Sequence, residues 1–465
     1  MLKPHIIRAY DIRGIAHKHG HSDPDLTPEI AYQLGRASGT HLKRNYGTKI
    51  ALGYDMRLST PELKETFLQG LLECGMHVLD LGMIPTPLMY FAVCHWKLDG
   101  GACITASHNP KEYNGVKLVG TNAHSICGDE LQKLIPLIQA GDFENGEGHV
   151  EPADIFKEYT KVMGERIHLE RPLKIVVDSA NGATGPYVES FFKSLGCEVI
   201  SMFTEPDGNF PNHPANPEEE ANMRDLAARV QTERADLGLG FDGDGDRVGL
   251  VDERGHHYPA DQLLILLARD VIARNPKAKI VFDVKASQLL INDIAAHGGI
   301  PVMTKTGHSF IEKTMHDEGA LLGGEISGHM FFAENYYGFD DAFLGAAELL
   351  KVAARTHSPF SSLLSDLPHS EATPELKTPC PESEKFRVVR ELTEYFTAHY
   401  SCSTIDGVRI QFDQNSWGAI RASNTSPNLT IRFEAPNMER MKEIQAITVA
   451  ELKKHPELDL WWVKE

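Results

Sequence analysis

Asp236-Leu237-Gly238-Leu239-Gly240-Phe241-Asp242-Gly243-Asp244-Gly245-Asp246-Arg247 is the stretch on which the reading of the chain turns. Its first half is a short apolar run of strand length. Its second half sets carboxylates at i, i+2 and i+4, with glycines between them that let the backbone curl. Asp242, Asp244 and Asp246 can therefore converge on one ion, and without a cation they would repel one another. Hard oxygens of this kind suit Mg²⁺, which takes a phosphate oxygen as a further ligand. A calcium EF-hand loop is an alternative, because Glu253 falls at its twelfth position. Arg247, however, stands where that loop needs glycine, and strands rather than helices flank the segment. A solvated acidic turn is the remaining reading.

Strand and helix signals alternate on both sides of this segment. Upstream, Leu173 to Asp178 reads as a strand, Gly185 to Gly196 as a helix, Glu198 to Ile200 as a strand, and Glu219 to Val230 as a helix after a Pro/Asn-rich loop. Earlier still, Lys49 to Gly53 is a strand. Ser59-Thr60-Pro61-Glu62 then opens a helix with a hydroxyl cap, and that helix closes at Cys74-Gly75. His77 to Gly82 and Gly101 to Thr105 are further strands. Downstream, Asp261 to Arg274, Ser287 to His297 and a segment after Gly307 read as helices, and Lys279 to Val284 and Ile300 to Met303 as strands. A polar patch from Ala140 to Asp154 suggests one boundary, and Thr356 to Pro381 reads as a linker. The expected architecture is α/β: three similar α/β domains plus a smaller C-terminal α+β domain, with boundaries at 1–152, 153–256, 257–368 and 369–465.

Composition fits several globular cores. Of 465 residues, 42% are hydrophobic and 24% charged, which excludes a disordered or collagen-like chain. The formal charge of −19 makes nucleic acid and anionic membranes poor partners, while a local pocket can still take an anionic substrate. The seven scattered cysteines contain no CxxC pair and read as reduced thiols. Met1 to Gly14 has no apolar signal core and no apolar run approaches a membrane span. A cytoplasmic protein is expected, a monomer or weak homo-oligomer. His17, His19 and His21 lack supporting ligands and read as a solvated loop.

Three other segments carry chemistry. Thr105-Ala106-Ser107-His108-Asn109-Pro110 ends a strand, the usual address of functional groups in α/β folds, and its serine could carry a phosphoryl group; a plain Asn-Pro turn is the alternative. Gly323-Gly324-Glu325-Ile326-Ser327-Gly328-His329 offers paired donors and acceptors suited to sugar hydroxyls, or else forms a flexible turn. Arg421-Ala422-Ser423-Asn424-Thr425-Ser426-Pro427 sets a guanidinium beside hydroxyls and an amide, as a phosphate grip requires, or forms a capped turn.

Taken together and in order, these four loops resemble the α-D-phosphohexomutase family. Arg8-Ala9-Tyr10-Asp11-Ile12-Arg13-Gly14 resembles its N-terminal signature, and Lys305-Thr306-Gly307-His308-Ser309 a further family segment. The resemblance implies four domains around a central cleft, a phosphoserine and a Mg²⁺. It implies Ser107 as phosphoryl carrier and, through its phosphate, a metal ligand beside Asp242, Asp244 and Asp246. Lys117 and His329 are implied as acid/base candidates, with Arg247 as a catalytic contact. Glu325 and Ser327 are implied as sugar readers, and Arg421, Ser423, Asn424 and Thr425 as the clamp on the unreacting phosphate. Tyr10, Arg13, Lys285 and His308 are implied as further substrate contacts.

The loop Gly324 to His329 resembles the phosphomannomutase/phosphoglucomutase branch, whereas phosphoglucosamine mutases usually carry Gln at the place of Ile326. The expected reaction moves phosphoryl between the 1- and 6-positions of mannose or glucose phosphates. Glucose 1,6-bisphosphate or mannose 1,6-bisphosphate would serve as intermediate and activator. A phosphoglucosamine mutase, a Mg²⁺-dependent serine phosphatase and a non-catalytic sugar-phosphate or calcium-binding protein are the rival readings.

Overall fold

The computed structural model describes residues 2–17, 23–423 and 426–463. His19, His21, Asn424 and Thr425 lie outside the described residues. The chain forms two compact units, one of Met1–Leu267 with Ser327–Leu363, the other of Ala268–Ile326 with Leu364–Glu465.

The first unit contains two sheets. In the six-stranded sheet the order is Ile12–Ile15, Tyr113–Val119, Gly100–Ile104, Lys49–Tyr54, His77–Met83 and His149–Pro152. The last four strands are parallel, as the buried runs Ile50-Ala51-Leu52 and Ala102-Cys103-Ile104 suggest for strands covered on both faces. Tyr113–Val119 returns antiparallel to Gly100–Ile104, so the Ser107 segment is the loop of a hairpin. The polar patch expected to be a boundary supplies the edge strand His149–Pro152, because its backbone completes the ladder of His77–Met83 whatever its side chains.

The second sheet repeats the plan. Its order is His257–Tyr258, Val248–Asp252, Leu237–Phe241, Lys174–Asp178 and Glu198–Met202. Leu237–Phe241 runs parallel to Lys174–Asp178 and is followed by the antiparallel Val248–Asp252. The acidic segment is therefore also a hairpin loop. Both sheets thus put a hairpin turn at the carboxyl end of a parallel strand.

Several helices take a side-chain cap from the residue before them. Pro28–Asn45 is capped by Thr27 Oγ1, 3.4 Å from the Ile30 N–H, and Met438–Leu452 by Asn437. Ser59 does not cap Thr60–Glu73 as its hydroxyl had suggested. Its Oγ accepts from Asn114 Nδ2 at 2.8 Å, and Thr60 Oγ1 donates to Asp55 at 2.8 Å. Tertiary partners on neighbouring strands outbid the local cap. Helix Ala342–Ala354 begins at Asp341, whose carboxylate accepts from the Leu344 N–H at 3.0 Å and from the hydroxyls of Tyr159 and Tyr336.

In the second unit Ile300–Thr304, Lys279–Asp283 and Leu322–Gly324 run parallel in that order. An antiparallel sheet orders Glu371–Ala372, Asn428–Ala435, Ser416–Ala422, Val408–Asp413 and Ser401–Ser403, backed by helices Lys385–His399 and Met438–Leu452. Leu376–Pro379 also pairs with Asn428–Ala435, so the expected linker ends in sheet structure. Val388, Phe396, Ile410, Ile420, Ile431 and Phe433 form the core here. Each such side chain contributes about 1.5–3 kcal/mol when fully buried.

Candidate active site

In the first unit the two hairpin loops meet. Ser107 is buried and its Oγ donates to Asp242 Oδ2 at 2.6 Å. Its φ of +48 lies in the left-handed region, a conformation that a non-glycine residue adopts at a cost. Gly243 explains how the loops come so close: a Cβ there would sit 2.5 Å from the Ser107 carbonyl oxygen. Asp242 Oδ1 accepts from the backbone N–H groups of Asp246 and Arg247 at 3.1 and 3.2 Å, which curls the acidic loop back on itself.

Carboxylate oxygens of Asp242, Asp244 and Asp246 lie within 4.8 Å of one another, and all three residues are fully buried. Burial first, and then the charges of Asp246 and Asp244, push the Asp242 carboxyl far above the usual range. Burial acts the same way on Asp246, but Lys117 and His329 outweigh it and hold that carboxyl low. Lys117 pairs with Asp246 and reaches Asp244 at 3.2 Å. Like charges at such range cost about 4 kcal/mol per pair at an effective dielectric of 20, so the cluster needs cationic charge. Asp244 Oδ1 is buried with no hydrogen-bond partner among the described residues. An orphaned carboxylate oxygen in an all-oxygen donor set suits a hard divalent cation, held by the three aspartates with an oxygen on Ser107.

His329 joins the same cluster. Its Nε2 lies 3.4 Å from Asp246, and its Nδ1 2.8 Å from Ser327 Oγ. Arg247 forms a β-bridge with His329 and sets its Nε 3.3 Å from the ring. Arg13 is buried and turned inward, donating to the Thr105 carbonyl at 2.8 Å and to Asp11 at 2.9 Å, so it props the serine loop. Tyr10 is half-buried in the turn before Ile12–Ile15.

In the second unit a separate polar group forms. Glu325 accepts from the Gly307 N–H at 2.5 Å, beside the start of helix His308–Glu318, where His308 is buried. Lys285 pairs with Glu375 at 2.5 Å, and Arg421 Nε with Asp406 at 2.7 Å. Asp406 also accepts from the Thr306 N–H at 3.1 Å, tying the Lys305–Ser309 segment to the strand carrying Arg421. Ser423 Oγ is 2.9 Å from Ser426 Oγ.

Sequence reading passed over Thr86, Asp55 and Arg57. Thr86 donates its hydroxyl to Asp244 Oδ2 at 2.8 Å and its N–H to the Asp244 carbonyl at 2.8 Å, and Asp340 lies 3.7 Å from His329. Only Asp55 and Arg57 left a readable signal, an acid and a base two apart at the carboxyl end of the strand Lys49–Tyr54.

Comparison with known proteins meets this geometry on every segment. The phosphoglucomutase/phosphomannomutase alpha/beta/alpha domains I, II and III match residues 4–145, 157–255 and 259–370, and the C-terminal domain of the same family matches 375–451. The chain belongs to the phosphoglucomutase/phosphomannomutase family, within the α-D-phosphohexomutases. A phosphomannomutase/phosphoglucomutase of Pseudomonas aeruginosa is 42% identical over 96% of this chain and 95% of its own length. A phosphoglucomutase of Neisseria meningitidis serogroup A is 41% identical over 98% of each chain. The crystal structure of a phosphoglucomutase/phosphomannomutase family protein from Burkholderia thailandensis superposes with a TM-score of 0.90 at 38% identity, covering 98% of both chains. The mixed α/β sheets of both units are those of this family.

Proposed function

We propose that the chain is a hexose phosphate mutase working through a phosphoserine at Ser107 with Mg²⁺, and that it accepts glucose and mannose phosphates alike. Its relatives carry both names, phosphomannomutase and phosphoglucomutase. The observation that carries the reading is the 2.6 Å approach of Ser107 Oγ to Asp242, inside a buried cluster of carboxylates flanked by Lys117 and His329.

In the first transfer the bond between phosphorus and the serine oxygen breaks, and a bond to the free hydroxyl of a hexose phosphate forms. The sugar hydroxyl loses its proton to Lys117 or His329. The resulting 1,6-bisphosphate turns over and returns its other phosphoryl group to Ser107. Bound Mg²⁺ supplies neutralisation of the charge that develops on the transferring oxygens. Asp242, Asp244 and Asp246 would hold it, with a phosphoserine oxygen. Arg421 and Ser423, with Asn424 and Thr425, grip the phosphate that is not reacting, and Lys285 and His308 add contacts to it. Glu325 and Ser327 read the sugar. Mannose and glucose differ at O2, so a site that reads O3 and O4 accepts both.

Freshly purified protein should carry one phosphoryl group by intact mass, and Ser107→Ala should lack it and lose turnover while keeping its circular dichroism. Assays with glucose 1-phosphate, mannose 1-phosphate and glucosamine 1-phosphate, with Mg²⁺ and a trace of hexose 1,6-bisphosphate, define the substrate. Release of inorganic phosphate in step with substrate loss would point to a serine phosphatase instead. Among the described residues no helix is long and apolar enough to cross a membrane.

A further inference from the structure

Arg57 has no place in the chemistry above, yet it is the most completely engaged cation near it. Its side chain is fully buried, as is that of Asp55. Nη2 donates to the carbonyl oxygens of Ser107 and Asn109 at 2.7 and 2.6 Å, and Nη1 to those of Pro110 and Tyr113 at 2.8 and 3.0 Å. Nε donates to Asp55 Oδ2 at 3.1 Å. All five donors of the guanidinium are therefore used, four of them on backbone carbonyls between Ser107 and Tyr113.

Asp55 completes the frame. Its carboxylate accepts from the N–H groups of Arg57 and Ala106 at 3.0 and 3.3 Å and from Thr60 Oγ1 at 2.8 Å. The ring of Phe210 covers the guanidinium at 5.3 Å, brought there by a turn in which Gly208 packs directly on the backbone of Met56, Arg57 and Leu58.

We propose that Arg57 is the positioning residue of the phosphoryl-carrying serine, fixing the left-handed Ser107 so that its Oγ faces Asp242. The inference rests on the mutase reading of Ser107. Residues 105–112 form no regular ladder, and the carbonyl oxygen of the buried Ser107 takes its hydrogen bond from Arg57, a pairing that a buried polar group needs. A buried ion pair is an expensive way to stabilise a fold, and apolar side chains of equal volume often do better. What the planar fork adds is geometry, because four carbonyl groups are held at fixed angles to one plane. One of the four is the carbonyl of Ser107 itself, so moving the guanidinium moves the residue that reacts.

Lysine supplies at most three donors and no plane, so Arg57→Lys keeps the charge and loses the template. The test uses the full chain with Mg²⁺ and hexose 1,6-bisphosphate, and compares wild type, Arg57→Lys and Arg57→Gln. Circular dichroism reports folding, intact mass reports the phosphoserine fraction, and steady-state assays with glucose 1-phosphate report kcat and KM. Folded variants should show kcat lower by about 100-fold, the scale of a 1 Å misplacement, with KM within about threefold and a reduced phosphoserine fraction. Folded variants with kcat within about threefold of wild type would overturn the assignment, as would an equal loss carried by KM alone. Should neither variant fold, Phe210→Ala, which strips only the cover from the guanidinium, makes the same measurement: lowered kcat at constant KM supports the proposal and wild-type kcat refutes it. A wild-type protein with neither phosphoserine nor turnover would refute the mutase reading itself, which is a separate outcome.

Discussion

Asp244 shows how single groups divide the work. One of its oxygens is taken by Thr86 and Lys117, and the other is buried without a hydrogen-bond partner among the described residues. Asp244→Asn removes a formal charge while keeping the shape. It should raise the Mg²⁺ concentration for half-maximal activity by about tenfold or more, the scale on which even outer partners of metal ligands act. An unchanged Mg²⁺ titration would separate this loop from the metal. Arg421 is placed differently, buried against Asp406 and Thr430. Arg421→Ala loses charge-assisted hydrogen bonds worth about 2 kcal/mol, which predicts a KM roughly thirtyfold higher. Wild-type KM for glucose 1-phosphate would place the phosphate grip elsewhere.

At the scale of elements, the hairpin turns and the loops that lean on them matter most. The loop Pro206–Pro217 is pinned to the end of strand Lys174–Asp178 by His213 Nε2, 3.0 Å from Asp178 Oδ2. Burial works against a charged imidazole there, but the hydrogen bond and charge of Asp178 prevail and the His213 pKa is raised above its ordinary 6.5. A raised pKa means that the folded state holds the proton more tightly. The stabilisation is therefore complete below pH 6.5 and is lost as pH rises through the folded value. His213→Gln should lower the melting temperature at pH 6 and match wild type at pH 9. An equal offset at both pH values would show that the contact is not ionic.

At the scale of the molecule, contacts distant in sequence hold the first unit together. Tyr159 and Asp341 are 182 positions apart and share a buried hydrogen bond, while Tyr336 and the Leu344 N–H use the same carboxylate. Burial raises the Asp341 carboxyl to about 6, with the Leu344, Tyr336 and Tyr159 donors opposing. Asp341→Ala leaves two phenol hydroxyls buried without an acceptor and removes a helix cap. About 3 kcal/mol should be lost, read as a lower urea midpoint for the first unit. A wild-type midpoint would mean that water reaches the cluster.

The alternation of apolar strands with capped helices is a local property, so Lys49–Tyr54, Lys174–Asp178 and Lys279–Asp283 were legible from residue order. So were the loops bearing Ser107, Asp242, Glu325 and Arg421, since glycine, proline and clustered polar groups announce a turn wherever they stand. Backbone pairing is not local: His149–Pro152 and Leu376–Pro379 are strands because a neighbour offers an open edge, and their side chains do not say so. Nor is a hydrogen bond between residues 135 apart, which is how Ser107 finds Asp242, or the choice of Ser59 between capping a helix and bonding Asn114. Arg57 shows both sides, because the acid and base two apart after a strand are readable, whereas the four carbonyl oxygens around its guanidinium come together only on folding.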